Sequence, residues 1–122
     1  MNTILVTLSV LLAATYVVTG SSKLIASRER LLAVPGMGWV GDVPLARVRF
    51  IGALEIAGAI GIIVPWATGI LPVLTPLAAW GLAAVQVGGI WTHVRRGERE
   101  HLWLNVLLLV AAVVVAIGRV VA

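Results

Sequence analysis

Glu55 is where chemistry enters this chain. It is a carboxylate inside FIGALEIAGAIGIIVP, residues 50–65, a stretch otherwise apolar enough to sit in lipid. An ionisable side chain at membrane depth costs about 2.5–3.5 kcal/mol on insertion scales and normally faces a bundle interior or a cavity. Few other groups can share that interior. Gln86 and His93 lie seven residues apart, so on a helix they point the same way. Lys23 follows the first apolar run, with Tyr16 seven residues before it and Thr19 one turn before it. Asn105 lies one turn after His101, at the start of the last run. Glu55 is six residues from Arg49 and Gln86 six from Thr92, which at helical rise puts each ~9 Å into the membrane. Polar residues with separate structural roles need not share a depth. The expectation is one polar cavity in a single half of the membrane, formed by Lys23, Glu55, Gln86, His93, Asn105, Tyr16 and Thr19, with Glu55 paired to Lys23. Each residue also has a structural reading: Ser and Thr bonding back to their own helix, Lys23 snorkelling to the interface, Gln86 joining two helices.

The elements that must position these groups follow from composition. Of 122 residues, 61% are hydrophobic and 11% charged, with a mean hydropathy of +1.09. Soluble domains are about one quarter charged, so this composition belongs to a membrane protein. Four runs are long enough to span, at about 3–19, 48–64, 69–91 and 102–120. Backbone groups in lipid must be satisfied internally, so the runs are helices. The fold class expected is all-α, a four-helix integral membrane bundle in a single domain.

The connections differ in character. The first, 20–47, is long, and its neighbourhood from 24 to 49 has the alternation of a short amphipathic interfacial segment, with Leu31 and Leu32 beside Arg28 and Arg30. It either caps the bundle or forms a plain surface loop. The second, 65–68, reads as a tight turn. If the third run starts near Gly69, Pro72 falls in its first turn and Pro76 should kink it. In the second run Gly52, Glu55, Gly58, Ala59 and Ile62 share a face, while Ala53, Ala57 and Gly61 form a small-residue series roughly opposite. That series suits a neighbouring helix or a homo-oligomer.

Lys23, Arg28, Arg30, Arg47, Arg49, Arg95, Arg96 and Arg99 fall on one side of the membrane, and only Arg119 on the other. This asymmetry places the basic side in the cytoplasm and both termini outside. The first run lacks a basic segment ahead of it, so it reads as a span rather than a cleaved signal peptide. A net charge of +4 carried in short connections points to anionic lipid headgroups as partners, and no nucleic acid is expected.

With no cysteine, the chain holds no disulfide and no thiolate metal site. HExxH, GxSxG and CxxCH motifs are absent. A His93–His101 pair with Glu98 or Glu100 has no recognised metal-site spacing, and the surrounding arginines disfavour a cation. No metal is expected.

Taken in order, GSSKL, GMGWV, IGALEIAGAIGIIVP, LPVLTPLAAWGLAAVQVGGI, THVRRGE and an Asn-containing last helix ending in GR resemble the DoxX-like family. These are small four-helix membrane proteins mostly known from bacteria. The resemblance covers nearly the whole chain. It implies a place in the bacterial inner membrane, and Lys23, Glu55 and His93 at the family's characteristic polar positions. The family's name comes from an association with a membrane thiosulfate:quinone oxidoreductase, and the resemblance carries over no catalytic residue. The first functional expectation is a non-catalytic accessory or assembly partner of a membrane or redox protein. The alternative is a subunit that binds a quinone or other lipophilic molecule at a polar cavity near Glu55.

Overall fold

The computed structural model describes residues 2–100 and 102–121. Its elements are α1 (Asn2–Ile25), the short α2 (Arg28–Leu32), a 3-10 turn (Gly38–Asp42), α3 (Leu45–Thr68), α4 (Leu74–Arg96) and α5 (Leu102–Val121). The four long helices are each long and apolar enough to cross a membrane. They run up and down, with main contacts α1 to α3, α3 to α4, α4 to α5, and α5 back to α1. One end of the bundle carries the arginine-rich connections and is called the basic end below.

α1 and α3 extend beyond the apolar runs that announce them, while α4 keeps the length of its run and is displaced toward the C-terminus. The largest difference is at the second connection. Residues 65–68 do not form a turn: α3 continues through Pro65 to Thr68, and Gly69, with φ of 72°, ends it in the left-handed conformation. Pro65 has no N–H to give the Gly61 carbonyl, a loss that ordinarily breaks a helix. Here Thr75 donates its hydroxyl to Gly61 O at 3.1 Å and accepts from the Trp66 N–H at 3.1 Å. One buried side chain on α4 thus makes good the defect in α3. Nor does Pro76 kink α4. That helix starts at Leu74, so Pro76 lies in its first turn, where no intrahelical N–H bond is needed, and Pro72 lies in the turn before it.

Packing relies on close backbone approach. A Cβ at Gly20 would meet Gly52 O at 2.8 Å, and one at Gly52 would meet Gly20 O at 2.7 Å, so α1 and α3 touch through their backbones there. On its other flank α3 packs on α4 through Gly58 against Leu82 and Gly61 against Ala78. Ala53 and Ala57 are exposed on the outside of the bundle instead. The core between the helices is small, built on Leu12, Tyr16, Ile62, Leu82 and Val115 with several alanines. Large apolar side chains such as Val18, Phe50, Leu77 and Leu107 face outward, as lipid-facing residues do.

The segment between α1 and α3 is folded rather than a plain loop. Leu31, Val40 and Val48 bury one another, with Met37 and Trp39 packed against them. The Ser27 side chain caps α2 by accepting from the Arg30 N–H at 3.2 Å. Arg28 donates to the carbonyls of Val40 and Val43. Arg49 donates to Lys23 O at 2.9 Å and Ala26 O at 2.6 Å, closing the C-terminal end of α1. Two residues that count toward the charge asymmetry therefore also hold this segment in place.

Candidate functional site

The Gly20–Gly52 contact brings α1 close enough to α3 for two of its side chains to reach Glu55. Thr19 donates its hydroxyl to Glu55 Oε2 at 2.7 Å, and Lys23 forms an ion pair with Glu55 Oε1. Glu55 is 2% exposed and the Lys23 side chain 13%, so the pair is largely withdrawn from solvent. In such surroundings each charge depends on the other, because an isolated one bears the full desolvation cost.

A second group spans the other helices. Asn105 on α5 donates its amide N–H to Gln86 Oε1 at 2.8 Å, and Gln86 on α4 donates to the Tyr16 hydroxyl of α1 at 2.6 Å. Gly89 makes this possible, since a Cβ there would stand 2.7 Å from the Asn105 amide nitrogen. The chain links α5, α4 and α1 across the bundle interior, where a satisfied polar network ties helices together.

Between the two groups lies a cavity of about 510 Å³, within the size range of small-molecule sites. Tyr16, Thr19, Lys23, Glu55, Gln86, His93 and Asn105 all line it. Ile51, Val85, Leu104 and Leu108 add apolar wall, and Trp103 stands at its edge on α5. The structure thus brings together every side chain that depth and spacing associate, at the basic end of the bundle.

Spacing does not reveal the roof. Val34, Pro35, Gly36, Met37 and Trp39 of the folded segment lie over the cavity. Arg96, near the end of α4, pairs with Asp42 at the end of the 3-10 turn and with Glu98 Oε1 at 3.2 Å. Glu98 Oε1 also lies 3.1 Å from His93 Nδ1. An ionised carboxylate only accepts, so Nδ1 carries the hydrogen of that bond. Desolvation alone would raise the Glu98 carboxyl, but the hydrogen bonds from His93 and Arg96, with their charges, hold it below the ordinary value of 4.5. The amphipathic pattern of 24–49 allows a segment that caps the bundle, and PGMGW and GDVP within it are turn-formers; the Arg96–Asp42 pairing across 54 positions has no sequence signal. Among the described residues no group of three or more His, Cys, Asp or Glu is placed to hold a metal ion, and His101 lies outside those residues.

Chemically the site can hold a polar head among fixed donors and keep an apolar tail against aliphatic walls. No curated protein and no solved structure matches the chain. A sequence profile of the DoxX-like family matches residues 7–115, a span that includes every cavity-lining residue, and the chain belongs to that family of small membrane proteins.

Proposed function

We propose that this protein is a membrane-embedded binding subunit for a small amphiphile, a quinone or another lipophilic molecule, whose polar head lies in the cavity beside Glu55. The observation that supports this reading is the cavity itself: seven polar side chains from all four long helices meet around about 510 Å³ at one end of the bundle. A purely structural polar network would close on itself, and a purely docking protein has no use for an interior of this size. The role remains an accessory one. The chain has no cysteine and no recognised catalytic motif, so any electron transfer to or from the ligand belongs to a partner redox protein. By the charge asymmetry the basic end faces the cytoplasm of a bacterial inner membrane. There the exposed Arg30, Arg47 and Arg99 meet anionic lipid headgroups.

Mass spectrometry of the lipid extract from protein purified in native nanodiscs tests this. Gly88 lines the cavity and a Cβ built there meets no atom within 4 Å, so Gly88→Trp introduces an indole at the lining without crowding at its Cβ. The wild type should retain close to one amphiphile per chain and the Gly88→Trp variant should lose it. Identical extracts would overturn the proposal.

A further inference from the structure

The hydrogen-bonded side chains of the cavity wall leave donors unused beside it, and these donors point to the class of ligand. The strongest acceptor is already engaged: Glu55 gives Oε1 to Lys23 and Oε2 to Thr19. Donors are left over. Lys23 has three N–H groups, and Glu55 takes one of them. The Asn105–Gln86–Tyr16 chain leaves another whichever way it runs. With Asn105 donating to Gln86 and Gln86 to Tyr16, the Tyr16 O–H proton has no acceptor among the described residues. With both amides reversed, Tyr16 donates to Gln86, Gln86 donates to Asn105, and the Asn105 amide N–H groups are left instead. Both Tyr16 and Asn105 line the cavity, and Tyr16 is 1% exposed, so its proton has no other outlet.

Charge restricts the ligand further. Lys23 and Glu55 neutralise each other. An anionic head would leave two negative charges to share the one Lys23 cation, and a cationic head would set two positive charges beside the one Glu55 carboxylate, so either adds an uncompensated charge to a site withdrawn from solvent.

We propose that the cavity selects an amphiphile with an uncharged carbonyl head, of the ketone, ester or quinone kind, received by the donor at the end of the Tyr16–Gln86–Asn105 chain. This rests on the binding role proposed above and deepens it.

The test uses the whole protein in nanodiscs with three probes of equal chain length: pentadecanone with an isotope-labelled carbonyl, pentadecanoate and pentadecylamine. Affinity is read from the fluorescence of Trp39 and Trp103, which line the cavity, and hydrogen bonding from the infrared band of the labelled carbonyl. The ketone should bind about tenfold or more tightly than either charged probe, since each charged head adds an uncompensated charge to a neutral, desolvated site. Its carbonyl band should lie at lower frequency than in protein-free nanodiscs. Tyr16→Phe keeps the buried ring and should weaken the ketone about fivefold, the loss of one hydrogen bond, while shifting the band back toward the lipid position. Asn105→Ala, at a half-buried position, checks the other end of the chain and should act in the same direction. Equal binding of all three probes, or a carbonyl band unchanged from lipid, would overturn the carbonyl assignment and leave the binding role standing. Binding of no probe, together with identical lipid extracts from wild type and Gly88→Trp, would overturn both.

Discussion

At the scale of single residues, the Lys23–Glu55 pair is the most consequential contact, since among the described residues Glu55 is the only buried carboxylate and Lys23 is its ion-pair partner. Removing one member of a buried pair costs about 3–5 kcal/mol, whereas removing both can be nearly neutral. Lys23→Ala and Glu55→Ala should each lower the unfolding temperature, and the double variant should lose clearly less than the sum. Additive losses in that cycle would contradict direct coupling. Glu98 gives a separate, pH-dependent prediction. Its carboxyl is held below the ordinary value of 4.5 by His93 and Arg96. A depressed folded-state value contributes stability that is fully present above the unfolded value and is lost as pH falls through the folded one. Wild type should therefore exceed Glu98→Gln in thermal stability at neutral pH, and the difference should shrink as pH falls below 4.5 and through the depressed folded-state value. Glu98 is partly open to water, so the effect is small. A gap that widened on acidification would show that another group governs it.

At the scale of the helices, two features decide whether the bundle forms as it does. Thr75 satisfies both the Gly61 carbonyl that Pro65 leaves open and the Trp66 N–H. Thr75→Val keeps the shape and removes the hydroxyl, leaving two buried backbone groups unpaired at about 1–3 kcal/mol each. Thr75→Ser retains the oxygen and should behave much closer to wild type. Equal stability of the Val and Ser variants would show that the hydroxyl is dispensable. The Gly20–Gly52 contact has a similar internal control. Gly52→Ala sets a methyl 2.7 Å from a backbone oxygen, while Gly81→Ala meets nothing within 4 Å. The first should destabilise by about 1–3 kcal/mol through overpacking, and should weaken the Thr19 and Lys23 contacts to Glu55. The second should be neutral or slightly stabilising, because alanine is the better helix former. Thermal unfolding of the two variants in the same detergent separates these outcomes.

At the scale of the whole molecule, orientation follows from charge rather than from packing. Every base except Arg119 lies in or beside the connections at one end. A cysteine at Gly97, exposed at the end of α4, should react with an impermeant thiol reagent only from the cytoplasmic side. A reporter fused after residue 122 should behave as extracytoplasmic. Labelling of Gly97→Cys in intact cells would reverse the orientation, and would place the cavity toward the outer face.

What the sequence determined by itself was the class, the presence of four helices able to span, and the end of the bundle at which the polar groups lie. Hydropathy and helical periodicity are local properties, and lipid allows no backbone but a helix over such runs. Tyr16, Thr19, Lys23, Glu55, Gln86, His93 and Asn105 could thus be placed in the same half of the bundle before any contact was known. Which of them touch was a matter of tertiary structure. The Lys23–Glu55 pair was foreseeable from charge, but the Asn105–Gln86–Tyr16 chain depends on α4 lying between α5 and α1 at the height where Gly89 leaves room. The helix boundaries at Thr68 and Leu74 escaped a local reading for a similar reason. Proline rules count hydrogen bonds within one helix, and here the missing bond to Gly61 is supplied by Thr75 from another. The roof over the cavity was the least accessible part. Residues 34–42 carry little beyond turn signals, and what fixes them is contact with distant groups, Arg96 on Asp42 and Val48 on Leu31 and Val40. Such contacts leave no mark in the spacing of neighbouring residues, because they depend on where the chain returns in space.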